Sequence, residues 1–354
     1  MTDQLEVMRH LRNLPLFRRL DSEVLRATAP HWRFRQLAPR EVLWLEGDVE
    51  GSMGLVVAGV LAVVLSGKTI ATLGPGELVG EGTAFVPDSP RIATVEAQAM
   101  SLVATLERKA LLALRRDYGV VYDALLLDAV RIAARRARET NRKVARYSVG
   151  EAVLGKGPSA MGRLWQRLTG QAGESKPPLL RPLLSNMMVW PVRNASVTER
   201  LAAAFTPERL VKGKALFFEG DKADKAYVLV SGGVDMFRYT GGQKARKLAS
   251  FSRGALFGFG GLLVASTRAA SCVANDAGWA FSMDRETFSN LSGHPGRYFR
   301  EILLKSIHKQ VSIANVHLSE IDLDDDDSAV GRRRRADTLD RAMSAMMGAN
   351  EEAS

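Results

Sequence analysis

Apolar positions come in short runs of four to seven residues, cut by glycine, over two separate stretches of the chain. In the first stretch, residues 42–45, 54–57, 61–65 and 69–73 are apolar or alternating, with turn residues such as Glu46-Gly47-Asp48 and Ser66-Gly67-Lys68 between them. This pattern predicts short antiparallel strands. The period then lengthens. Residues 107–116 predict a short helix, and residues 120 to about 146 a long one with Val121, Leu125, Leu126, Ala129, Ile132 and Ala133 on its apolar face. The succession returns later, with a helix expected over 284–291, capped by Asp284, and another from 296 to about 318. Strands this short at this spacing imply a small double-sheet barrel of jelly-roll type.

The chain repeats itself. Leu43-Trp44-Leu45-Glu46-Gly47-Asp48 is answered by Leu216-Phe217-Phe218-Glu219-Gly220-Asp221, an offset of 173 residues. Residues 55–60 are answered by 228–234, residues 73–80 by 251–258, and Pro90-Arg91-Ile92-Ala93-Thr94 by Thr267-Arg268-Ala269-Ala270-Ser271. Four ordered blocks at offsets of 173 to 178 mark a tandem duplication. The expected fold class is mainly β with helices (α+β), two tandem jelly-roll-like barrels each flanked by helices including a long C-terminal one. The first domain is placed at 10–146 and the second at 186–320. A Gly/Pro-rich linker is placed at 147–185, with a short amphipathic helix over 161–168 anchored by Trp165. A charged tail expected to be disordered covers 321–354.

The strongest chemical signal is the run from Val79 to Thr94. Gly80 lets backbone approach a ligand closely. The Glu81 carboxylate follows at once, suited to accept from a neutral hydroxyl. Arg91 then stands among small residues, with the charge-assisted hydrogen bonds a phosphate oxygen calls for. One arginine suits a phosphate of one negative charge, as in a phosphodiester. The segment resembles the phosphate-binding cassette of the cyclic nucleotide-binding domain: Gly-Glu, a few apolar residues, then Pro-Arg-small-Ala-Thr. The Glu46-Gly47-Asp48 turn, Gly59 and Gly76 agree with that family. The resemblance covers residues 13 to about 145 and about 186 to 318.

It implies that Glu81 takes the ribose 2′-hydroxyl and Arg91 the cyclic phosphate, with Gly80, Pro90, Ile92, Ala93 and Thr94 in the same pocket. Gly82-Thr83 departs from the family's apolar residue and Ala, and the cassette is about one residue longer, near Pro87-Asp88. Ile92 stands where a hydroxyl often helps to bind guanine, which favours cAMP as the ligand, with cGMP the other candidate. In the second copy Phe259 stands in place of Glu81, and no acidic residue lies between Arg253 and Arg268. Gly258, Arg268, Ala269 and Ala270 survive, so this is read as a degenerate site, with Arg268 expected to turn to solvent because a buried arginine without a partner is costly.

Relatives of this kind often carry a winged helix-turn-helix, a kinase or a channel, and neither the stretch after the first copy nor the 35 residues after Ser319 offers room for one. The resemblance therefore implies a regulatory protein acting through protein–protein contacts with an unidentified partner. In organisation it is similar to the regulatory subunit of the cAMP-dependent protein kinase. Arg333-Arg334-Arg335-Ala336 matches the letters of that subunit's inhibitory stretch but is followed by Asp337, where an apolar residue is expected. The long helix of the first copy is open to three readings: pairing with the second copy's helix, homodimerisation, or covering its own barrel.

The chain has 354 residues, 49 basic against 39 acidic, a formal charge of +10. Much of the excess lies between Arg131 and Arg146 and in Arg332 to Arg335, and a solvated basic face is preferred to nucleic-acid contact. One cysteine rules out an internal disulfide, and five scattered His residues give no metal spacing. No run reaches the roughly 20 apolar residues of a membrane helix, and the N-terminus has no secretory signal, so a cytoplasmic protein is expected. No nucleophile–base pair suggests an enzyme. The alternative readings are a scaffold or cargo-type interaction protein that binds no nucleotide and, below it, a basic nucleic-acid binder.

Overall fold

A computed structural model describes residues 12, 17, 21–65, 67–147, 151–153, 176–187, 195–241, 244–263 and 266–323. The helix expected over 161–168 and the Arg333–Arg335 stretch lie outside the described residues. Residue contacts divide the chain into two compact units, one of Met1–Ala133 with Arg300–His308, the other of Ala134–Phe299 with Lys309–Ser354.

In the first unit, α1 (Ser22–Thr28) is capped by Asp21, whose carboxylate accepts from Glu23 N at 2.7 Å. Eight strands follow: β1 (Arg33–Leu37), β2 (Val42–Trp44), β3 (Ser52–Ala58), β4 (Leu61–Leu65), β5 (Lys68–Leu73), β6 (Leu78–Val79), β7 (Thr94–Ala97) and β8 (Ser101–Glu107). A one-and-a-half-turn helix, α2 (Glu81–Phe85), interrupts them between β6 and β7. The strands make two antiparallel four-stranded sheets, ordered β1-β8-β3-β6 and β2-β7-β4-β5. They are open, jelly-roll-like sheets rather than a closed barrel. Alternation along β7 turns Val95 and Ala97 inward, and Val103 of β8 joins them. With Leu37, Val56 and Leu61 these fill the space between the sheets, each valine and leucine contributing roughly 1.5–3 kcal/mol by burial. Helices α3 (Arg108–Asp117) and α4 (Gly119–Tyr147) close this part of the chain.

The second unit repeats the plan with longer strands. After β9 (Glu151–Val153), α5 (Arg181–Met187) and α6 (Ala195–Ala203) come β10 (Thr206–Leu210), β11 (Ala215–Phe217), β12 (Lys222–Ala223), β13 (Lys225–Gly241), β14 (Lys244–Phe251) and β15 (Leu256–Phe257). Helix α7 (Gly260–Leu263) precedes β16 (Ser266–Thr267) and β17 (Ser271–Asp284), and α8 (Arg285–Asn290) and α9 (Gly293–Leu323) end the fold. The 17-residue β13 and 14-residue β17 each run through positions that break into two strands in the first copy, and β-bulges at Leu229–Val234 let them bend. β9, within the stretch expected to be linker, pairs antiparallel with β14, Ala152 opposite Ala245. Asp284 caps α8 as expected, accepting from Thr287 N at 2.7 Å. α9 starts three residues earlier than the pattern suggests because Pro295 is tolerated in a first helical turn. Among the described residues, no helix is long and apolar enough to cross a membrane.

Candidate functional site

The repeated Glu-Gly-Asp turns explain themselves in hydrogen bonds. Gly47 N donates to Arg91 O at 2.9 Å, and Arg91 N donates to Asp48 O at 2.7 Å. The Asp48 carboxylate accepts from Leu45 N, and Thr94 Oγ1 accepts from Glu46 N at 3.0 Å. The second copy reproduces every one of these: Gly220 N to Arg268 O at 2.9 Å, Arg268 N to Asp221 O at 2.8 Å, Phe218 N to Asp221 Oδ2 and Glu219 N to Ser271 Oγ. The turn is a clasp that fixes the backbone of the arginine. Gly47 and Gly220 sit at φ +87° and +85°, where a side chain is strained.

The clasp points the Arg91 side chain into the first unit. Its guanidinium, 4% exposed, lies 3.8 Å from the centroid of Trp44, donates through Nη2 to Ser52 Oγ at 2.9 Å and through Nη1 to Gly80 O at 3.4 Å. Nε is buried and has no hydrogen-bond partner. Burial pulls the Arg91 pKa down to about 10, against the pull of Glu50, Asp48 and Glu81, so it is still a cation at neutral pH. Gly80 has φ +74°, and a Cβ there would strike Arg91 Nη1. Glu81 is buried beside it at the start of α2. Ile92 and Ala93 continue the strandward turn, while Pro90 is exposed. Asp88, in the stretch where the cassette is expected to be longer, has φ +55°, a left-handed conformation that Asp adopts more readily than most side chains.

Two further groups hold α2 in place. Arg108 Nη2 donates to Thr83 O at 2.5 Å and to Val86 O at 3.3 Å, and its Nε donates to Ala84 O at 3.3 Å. One cation thus gathers three carbonyls around the end of a short helix. His308 Nε2 and Ser89 Oγ share a hydrogen bond of 2.5 Å. The His308 ring lies where a Cβ on residue 82 would be, which accounts for the Gly82 departure. Burial lowers the His308 pKa, with Glu81 pulling the other way.

In the second unit the expectation for Arg268 is corrected. It does not turn to solvent: it is 6% exposed, donates through Nη1 to Gly258 O at 2.9 Å, and lies 4.0 Å from the Phe217 centroid. The ring face and the carbonyl supply what the absent carboxylate does not. Phe259 is buried at the place of Glu81, and Ala269 and Ala270 follow Arg268 into β17. Gly258, at φ +69°, matches Gly80. Arg285 matches Arg108, donating to Gly261 O and Ala223 O at 2.7 Å each.

Sequence reasoning missed Trp44, Ser52, Arg108 and His308. Trp44 and Phe217 occupy one position of the duplicated block, and Arg108 and Arg285 both follow an acidic residue after β8 and β17, so the repeat carried a signal for both pairs. No local signal marks His308, 219 residues from Ser89. Among the described residues, no group of three or more His, Cys, Asp or Glu could hold a metal.

A family model described as the cyclic nucleotide-binding domain matches residues 34–118 and 207–293. Two cyclic nucleotide-binding domains stand in tandem in this chain. A cyclic AMP receptor protein of Thermus thermophilus is 36% identical over 89 residues, 25% of this chain and 41% of that protein. The chain thus spans about two fifths of the length of that curated relative. Among solved structures, the regulatory domain of Toxoplasma gondii PKA with cAMP is similar at 20% identity and a TM-score of 0.29, covering 84% of this chain and 95% of that one. A cyclic nucleotide-binding domain from Methylobacillus flagellatus is similar at 23% identity and a TM-score of 0.36, covering 42% and 85%.

Proposed function

We propose that the chain is a cytoplasmic cyclic-nucleotide receptor, not an enzyme, whose first domain binds cAMP and whose output is a protein–protein contact. The observation that carries this reading is the Arg91 guanidinium: buried, oriented by Trp44, Ser52 and Gly80, and left with an unpartnered Nε. A buried donor without an acceptor costs about 1–3 kcal/mol, and a phosphate oxygen would remove that cost. In this reading Arg91 holds the cyclic phosphate with the backbone of Gly80, Ile92 and Ala93, while buried Glu81 accepts from the ribose hydroxyl. Pro90 and Thr94 act by shaping the turn, Thr94 through its Oγ1, which accepts from Glu46 N. The matched relative, named as a cyclic AMP receptor, supports cAMP over other nucleotides.

Binding shifts the protein between states only through unequal affinity for them. Arg108 links α2 to the start of α3, and through it a movement of the cassette would reach the helices that follow. The partner, and any homodimer, would be engaged there. Calorimetric titration of the full chain with cAMP and with cGMP tests the reading: one cAMP per chain, with cGMP weaker, is expected. No heat and no change in melting temperature with either nucleotide would leave a scaffold protein as the better account.

A further inference from the structure

We propose that the second domain is a binding site for a small aromatic monoanion, an aryl carboxylate with a single ring, rather than for a nucleotide. The place that would hold a cyclic nucleotide there is a cavity of about 120 Å³, bordered by Phe217, Met236, Phe251, Phe259 and Arg268. Sites for drug-sized ligands start at about 300 Å³, whereas an apolar cavity of about 150 Å³ holds one benzene ring. The space therefore matches the size of one ring and is far too small to bury a base joined to a sugar.

Its walls select the same chemistry. Phe217, Tyr227, Phe257 and Phe251 stack in succession, with centroids 5.7, 5.3 and 4.9 Å apart and interplanar angles of 30°, 15° and 11°. A flat ligand would meet aromatic surface at the cavity's edge. Phe259, in the position of Glu81, removes the acceptor that a ribose hydroxyl needs.

The described lining of this cavity is cationic, with Arg268 and Arg138 and no acidic residue. The carboxylates that act on Arg268 are Asp224 and Asp221, and both border a larger neighbouring cavity instead. Arg268 is more than nine-tenths buried, and its Nε has no hydrogen-bond partner. Gly258 at φ +69° keeps the backbone free of a side chain beside it. Gln310 reaches the same cavity, with its Nε2 on Leu256 O at 3.1 Å. That larger cavity, of about 520 Å³ on the other side of Phe217 and Arg268, is a poorer home for an anion. Two of its three lysines already face carboxylates, Lys225 with Glu208 at 2.8 Å and Lys222 with Asp224 at 3.1 Å, and Asp221 lines it too.

The test titrates the full chain with benzoate, and with benzyl alcohol as its uncharged counterpart, by calorimetry and by thermal shift. One benzoate per chain is expected, with benzyl alcohol and the Arg268→Gln variant each weaker by about thirty-fold or more. A cooperative melting transition of Arg268→Gln establishes that it folds. Should it not fold, Phe259→Trp, which fills the cavity, is expected to abolish benzoate binding alone. The proposal falls if benzoate does not saturate at millimolar concentration. It falls equally if binding survives both variants, or if it is lost in Arg91→Gln instead, which would put benzoate in the first domain. None of these results depends on whether the first domain takes cAMP.

Discussion

Arg91 lies with its guanidinium 3.8 Å from the centroid of Trp44, and Arg268 lies in the same way over Phe217. An arginine stacked on a ring keeps its edge, where the N–H groups are, directed away from that ring. In the first domain one edge position is taken by Ser52 and one by Gly80, and Nε remains. Arg91→Gln removes the cation while keeping a polar side chain. A loss of roughly 2–5 kcal/mol in cAMP binding is expected, read by calorimetry as an affinity weaker by about thirty-fold to several thousand-fold. An unchanged affinity would place the phosphate elsewhere.

Gly80→Ala tests the same site through the backbone. A side chain at φ +74° costs about 1–2 kcal/mol, and the new Cβ must displace the Arg91 guanidinium. Both a lower melting temperature and weaker cAMP binding are expected. Gly258→Ala, where Arg268 Nη1 stands 2.9 Å from the added carbon, should lower stability and leave the cAMP titration unchanged.

Glu301 is 1% exposed and accepts from Arg115 Nε at 3.0 Å and Tyr122 OH at 2.7 Å, all within the first compact unit. Removing one partner of a buried ion pair costs about 3–5 kcal/mol. Arg115 keeps 21% exposure and can reach water, so Glu301→Ala should fall near the lower end, measured by urea unfolding. Glu301→Gln retains an acceptor for Tyr122 and should cost less.

His308 gives the stability a pH dependence. Burial lowers its pKa in the folded chain below the unfolded value, which is about 6.5. The unfolded chain therefore binds the extra proton first, and stability is full above about pH 6.5 and declines as pH falls from there through the lowered folded value. His308→Gln should flatten this part of the curve of melting temperature against pH. A curve of the same slope in the variant would assign the effect to other groups.

The parts of the fold legible in the sequence are those set by local geometry or by repetition. Glycines at left-handed positions marked the turns, short apolar or alternating runs marked β2 to β5, and the long helices showed their apolar period. Arg91 and Glu81 stood out because their residue types and spacing are chemically distinctive. Arg268 was misjudged because its partners are a ring 51 residues upstream and a backbone carbonyl, and neither can be read as a charge. The stretch around β9 read as linker because a three-residue edge strand gets its stability from β14, not from its own composition. His308 was hidden for a related reason: a lone histidine on a helix has no pattern until the fold brings Ser89 to it.

Gly82 and His308 form a single steric unit, since the ring of one fills the volume that a β-carbon on the other would need. Two positions 226 residues apart are therefore coupled by volume alone: a side chain at position 82 and an imidazole at 308 compete for one space, so neither substitution can be judged without the other.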